Sequence, residues 1–149
     1  MIGSDHLGFE LKEILKNHMQ SKGIEVTDVG TFDKNPVSYP DVGLGLAERL
    51  IKEDYSRGIL ICGTGIGMAI AANKVPGVRA AVCHDIYSTE RARKSNNAQI
   101  MTMGALVVGV ELAKKLVDVW LESEFQGGGS LSKVEKLNNI DMKYRCKVE

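Results

Sequence analysis

With 149 residues, 44% hydrophobic and 26% charged, the chain has the make-up of one globular domain with a substantial core. Its 19 basic residues balance 19 acidic ones and lie scattered, which argues against nucleic acid or an anionic membrane surface as a partner. No apolar run is long enough to span a bilayer and no signal-peptide pattern opens the chain, so the cytoplasm is the expected compartment. Met1–Ser4 reads as the end of a short first strand, and Gly8–Ser21 as a helix with Phe9, Leu11, Ile14, Leu15 and Met19 near helical spacing. Gly23 stops that helix, and Ile24–Val29 reads as a second strand. Pro36 and Pro40 make Gly30–Pro40 a loop, after which Asp41 caps a helix running to Asp54.

Ile59–Cys62 is a third strand and Met68–Lys74 a helix, followed by a fourth strand over Val78–Cys83 and a helix over Ile86–Ser95. Ala98–Met103 is a fifth strand and Val110–Glu122 a long helix. Gln126–Ser130 is a glycine-rich hinge, and Leu131–Met142 a terminal helix that packs on a partner subunit or on the chain's own surface. The strands are apolar runs that alternate with helices, which predicts a parallel sheet covered on both faces. The expected fold is therefore α/β, a doubly wound, Rossmann-like three-layer sandwich. It has a five-stranded parallel sheet and a C-terminal helical arm, all in one domain over residues 1–149. Ligands in such sheets bind at the carboxyl ends of the strands, where Ser4–His6, Cys62–Gly67, His84–Asp85 and Met103–Gly104 fall.

Cys62 carries the most chemical promise. It ends a buried strand and meets the turn Gly63-Thr64-Gly65-Ile66-Gly67, whose N–H groups converge at the start of a helix. A cysteine at a strand end is often only a small apolar filler, but a neighbouring helix N-terminus favours thiolate chemistry. Cys83 lacks such a turn, and Cys146 lies in the tail; the three cysteines form neither a zinc-type pair nor a disulfide framework. The glycine turn has neither the dinucleotide register nor the lysine of a P-loop, and suits a small anion such as an enolate or carboxylate. Asp5-His6 is a helix cap or a catalytic pair at the same sheet edge. Tyr39 lids or packs on the pocket, and Asn96 and Asn97 cap a helix or bind a hydroxylated ligand.

The run Ser4–Phe9, with Asp28-Val29-Gly30-Thr31, Tyr39-Pro40-Asp41, Ile61–Gly67 and Ala71-Ala72-Asn73-Lys74, resembles ribose-5-phosphate isomerase B. Val78–Ala81, Tyr87-Ser88, Asn96-Asn97 and Gly127-Gly128 extend the resemblance over nearly the whole chain. That family also contains galactose-6-phosphate isomerase subunits and isomerases of tetrulose phosphates. The resemblance implies aldose–ketose isomerisation through a cis-enediolate, with no metal and no cofactor. By it, Cys62 is the base that moves a proton between C1 and C2, and the amides of Gly63, Gly65, Ile66 and Gly67 hold the enediolate oxygen. Asp5 binds hydroxyls and assists transfer between O1 and O2, while Thr64 positions or opens the sugar ring. Tyr39, Ser95 and Asn96 contact the sugar, and His6 lies near the phosphate. The implied assembly is a homodimer, or dimers paired into a tetramer, with sites formed between subunits.

The chain departs from the family pattern in three places. Ser95 stands where a ring-opening histidine is usual, Gly129 where an arginine holds phosphate, and Leu106 where some members have another arginine. Lys133 matches a second basic tail position and is a point charge instead of a bidentate fork. A four-carbon sugar phosphate needs no ring opener, so D-erythrulose 4-phosphate stands beside ribose 5-phosphate as an expected substrate. A non-catalytic sugar-phosphate-binding protein, or an inactive subunit of a two-chain isomerase, are the alternatives.

Overall fold

The computed structural model describes residues 1–145. The predicted tail position Cys146 lies outside them. Four strands make the sheet: β1 (Ile2–Ser4), β2 (Gly58–Cys62), β3 (Ala80–Val82) and β4 (Ile100–Gly104). They run parallel in the spatial order β1-β2-β4-β3, with Ser4 opposite Ile61 and Cys62 opposite Gly104. Every residue of β1, β2 and β4 is buried, as expected of a sheet covered on both faces.

Side-chain alternation sorts the layers. Ile2, Ile59, Ile61, Met101 and Met103 point into one core. They meet helices α1 (Phe9–Ser21), α4 (Ile86–Lys94) and α5 (Val110–Glu122), whose Leu15, Ala92, Leu116 and Trp120 belong to the same core. Leu60, Cys62 and Ile100 face the other way, against Leu46, Leu50, Met68 and Ala72 of α2 (Tyr39–Lys52) and α3 (Ile66–Ala72). The last helix, α6 (Leu131–Arg145), buries only Val134. It is tied to the domain where Arg79 donates to Asn138 at 2.9 Å and Gly77 N–H to the Asp141 carboxylate at 3.1 Å.

The expectation of five strands is corrected. Ile24–Val29 does not form a strand; it meets β1 through one isolated bridge, Ile2 to Asp28. The segment still runs along β1, with Ile2 N–H on Thr27 O at 2.9 Å and Val29 N–H on Ile2 O at 2.9 Å. Pairing continues out of register: Ser4 N–H donates to Gly30 O at 2.6 Å, where a regular parallel ladder would use Val29 O, and Thr31 N–H donates to Ser4 O at 2.8 Å. The Asp28 carboxylate accepts from Gly30 N–H at 3.0 Å and from Lys12 and Lys16.

Other boundaries move by a turn or less. The second helix starts at Tyr39, not Asp41, because Pro40 fits its first turn, where no intrahelical N–H bond is lost. The chain goes from β1 outward to 24–31, then returns to the other side of β1 for β2. Winding therefore reverses between β1 and β2, and a crevice opens at their carboxyl ends.

Candidate active site

Asp5 and Cys62 meet in that crevice. Ser4 pairs with Ile61, so the residues that follow them are neighbours across adjacent strands, about 4.8 Å apart in the pairing direction. Both are nearly buried, at 5% exposure each. Asp5 N–H donates to Ile61 O at 3.1 Å, and one carboxylate oxygen accepts from Gly8 N–H at 3.0 Å. That bond lies in the turn before α1, whose N-cap is Gly8 and has no side-chain cap, so Asp5 braces the turn without being the capping residue. Together with Tyr39, Gly63, Thr64, Ile66 and Gly67, the pair lines an open cavity of about 460 Å³, which Leu7, Ile70 and Leu106 also line with exposed side chains.

The turn is built around its glycines. Gly65 has φ +78° and caps α3, and a Cβ there would lie 2.8 Å from the Met103 carbonyl carbon, so only glycine fits. Gly65 N–H donates to Cys62 Sγ at 3.1 Å, and Ile66 N–H reaches Thr64 Oγ1 at 3.3 Å. Tyr39 packs its ring directly on Gly67, where a Cβ would overlap it. The helix that follows has only 7 residues, so anion stabilisation rests on individual N–H groups and less on a macrodipole than expected.

Five predicted residues do not line the cavity, and of these Gly65 stands in the turn against β4. His6 turns aside, its Nδ1 accepting from Val37 N–H at 3.4 Å. Ser95 ends α4, and Asn96 lines a different cavity, between β3 and α6. Both precede β4, whose far end carries Gly104 beside Cys62, so they sit at the opposite sheet edge. Lys133 is exposed in the first turn of α6.

Residues outside the cavity support the site from behind: Gly104, His84 and Asp85, which the sequence places at carboxyl ends of strands, and Lys12, which sequence reasoning passed over. Gly104 N–H donates to His84 Nε2 at 2.9 Å, and Asp85 caps α4 by accepting from Ser88 N–H at 2.7 Å. Lys12 is fully buried and holds Asp28 at 2.6 Å and Thr31 O at 2.7 Å, steadying the loop that leads to Tyr39. Burial raises the Asp28 carboxyl, but hydrogen bonds from Lys12, Lys16 and Gly30 outweigh it and hold the group below its ordinary range. A lysine amid an otherwise apolar helix face was the available signal. Burial pushes the Cys83 thiol up to about 11, against a hydrogen bond involving Thr89, which leaves it a protonated core residue. Among the described residues, no group of three His, Cys, Asp or Glu side chains could hold a metal ion, and no helix is long and apolar enough to cross a membrane.

A family model described as Ribose/Galactose Isomerase matches residues 1–137. The chain belongs to the ribose/galactose isomerase family. It is 56% identical to the Ribose-5-P isomerase B of Listeria innocua, over 97% of each chain. It is 53% identical to the D-erythrulose-4-phosphate isomerase of Pectobacterium atrosepticum, over 91% of this chain and 90% of that one. Among solved structures, Clostridium thermocellum Ribose-5-Phosphate Isomerase B superposes with a TM-score of 0.93 at 48% identity, covering 96% and 97% of the two chains. Membership of the ribose/galactose isomerase family fits the crevice, since the segments that carried the sequence resemblance in β1, β2 and the glycine turn are those that enclose it.

Proposed function

We propose that this protein is an aldose–ketose isomerase of phosphorylated sugars, converting ribose 5-phosphate to ribulose 5-phosphate through a cis-enediolate. The observation that carries this reading is the juxtaposition of Cys62 and Asp5 across neighbouring strands, on one cavity walled by glycine-turn amides. Cys62 Sγ takes the proton from C2 of the open-chain aldose, leaving the electron pair in an enediolate. The same thiol returns that proton to C1. Asp5 carries the hydroxyl proton from O2 to O1, so the atoms balance without an external reactant. The N–H groups of the turn meet the charge that develops on oxygen, which is where preorganised donors lower a barrier most. Thr64 and Tyr39 position the sugar.

The site in one chain lacks the groups to hold the far end of the substrate. Leu7, Ile70 and Leu106 leave an apolar rim, with Leu106 at 73% exposure. A second copy of the chain, in a homodimer or a tetramer of paired dimers, would cover it and bring Ser95, Asn96 and Lys133 to the cavity of its partner. Turnover of a free sugar phosphate by such an assembly fits the cytoplasm.

A tetrulose phosphate is the second reading. Ser95 cannot act as a ring-opening base as an imidazole does, and Leu106 and Gly129 offer no charge to a distant phosphate. The 53% identity to a D-erythrulose-4-phosphate isomerase supports it equally. The test is isomerisation of ribose 5-phosphate, D-erythrulose 4-phosphate and allose 6-phosphate by the wild type and Cys62→Ala. Activity that collapses in the variant is the expected result, and the preferred chain length decides between the two readings. A folded wild type inert on all three would overturn both in favour of a binding protein or a subunit lacking its partner.

A further inference from the structure

Thr102 is a buried hydroxyl in a strand that otherwise contributes Ile100, Met101, Met103 and Gly104. It pairs with Leu60 and Val82 and makes no wall of the catalytic cavity. Packing alone would be met by valine, which has the same shape and suits a strand as well. What the hydroxyl adds is one bond: Oγ1 donates to Gly65 O at 2.8 Å. Gly65 is the residue whose own N–H reaches Cys62 Sγ at 3.1 Å.

We infer that Thr102 is a positioning residue for the isomerase chemistry, fixing the orientation of the glycine turn on Cys62 and on the cavity. The inference rests on the isomerase reading above. The Gly65–Ile66 peptide is trans, so its C=O and N–H point in opposite directions. Anchoring the carbonyl down on β4 therefore aims the Ile66 N–H away from the sheet, on the side where Ile66 and Thr64 form the cavity wall. The same anchor fixes ψ of Gly65, a residue whose left-handed φ of +78° no side chain of its own restrains. With Gly65 held on both sides, its N–H stays on the sulfur. The same oxygen also accepts from Ala69 N–H at 3.1 Å, the first bond of α3, so Thr102 is the anchor that ties this carbonyl to β4.

The test compares wild type with Thr102→Val, which removes the hydroxyl at constant shape, and Thr102→Ser, which keeps it. Two quantities are read: kcat and KM for the preferred sugar phosphate, and the rate of Cys62 alkylation by iodoacetamide at pH 8, mapped by peptide mass spectrometry. In Thr102→Val, kcat falls about tenfold with KM within about twofold, because a misaimed donor fails chiefly in the transition state. Cys62 alkylation changes by about threefold or more as its sulfur loses the Gly65 N–H partner. Thr102→Ser restores both. Wild-type kcat and alkylation in a folded Thr102→Val would overturn the inference, as would equal damage in Thr102→Ser, which would mark a packing role. Should Thr102→Val not fold, Thr102→Ala against Thr102→Ser makes the same comparison. A wild type without isomerase activity would sink the proposed function, while the alkylation rates would still decide whether Thr102 sets the surroundings of Cys62.

Discussion

Gly65 and Gly77 share a backbone angle, φ +78°, and differ in what surrounds them. A Cβ at Gly77 would meet nothing within 4 Å, whereas one at Gly65 would lie 2.8 to 3.0 Å from three backbone atoms of Met103. Alanine at either site carries the left-handed penalty of about 1–2 kcal/mol, partly offset by about 0.4–1 kcal/mol from a stiffer unfolded chain. At Gly65 an overpacking term of about 1–3 kcal/mol is added, because β4 is a central strand that cannot swing aside as a side chain would. Gly65→Ala should therefore lie about 1–3 kcal/mol below Gly77→Ala in stability, a gap of roughly 3–10 °C in Tm for a domain of this size. Differential scanning calorimetry of the two variants beside wild type reads the gap directly. Isomerase activity should fall in Gly65→Ala alone, since only that turn carries the Cys62 contact. Equal losses of Tm in the two variants would refute the close approach of the turn to β4 and with it the argument for glycine there.

Cys62→Ala should lower kcat by about a thousandfold or more while moving Tm little, measured by coupled assay and thermal melts. In native protein iodoacetamide at pH 8 should label Cys62 and leave Cys83 intact, since the Cys83 thiol at about 11 is protonated and buried; mass spectrometry of both peptides reads this. Lys12→Met removes the shortest partner of the Asp28 carboxylate and leaves it Lys16 and the Gly30 N–H, which should cost about 1.5–3 kcal/mol in urea titrations. Because the folded Asp28 pKa is depressed, its contribution is full above its unfolded value near 4 and is lost as pH falls through the folded one, so the gap to wild type should narrow in acid. If two subunits share each site, mixing Cys62→Ala with Asn96→Ala chains should restore about one site in four by random pairing; activity no higher than the sum of the separate variants would refute sharing.

Much of the fold could be read from the order of apolar runs and breakers, since β2 and β4 are predominantly apolar stretches and Gly23 falls at the expected boundary. The second strand could not. Ile24–Val29 has strand composition and does bond to β1, but the bonds slip register at Gly30, whose carbonyl takes the Ser4 N–H that a regular ladder would give to Val29 O. A slip of one residue at a glycine leaves no periodic trace. The exposed face of α3 was legible in principle, because Ile66 and Ile70 stand four apart opposite the buried Met68 and Ala72.

The site was legible for a different reason, and only in part. Asp5, Cys62 and the glycine turn all lie immediately after apolar runs, and parallel strands deliver such positions to one edge whatever the details of packing. Tyr39 joins them because α2 begins beside the same edge and Gly67 has no side chain to keep its ring away. Ser95, Asn96 and Lys133 follow no such rule. They precede a strand or belong to the arm, so the topology that gathers Cys62 and Asp5 sends them to the far edge of the same chain. The proposed pairing of chains reconciles their motif resemblance with their distance from Cys62, each copy completing the cavity of the other, and the mixed-variant assay above is what decides it.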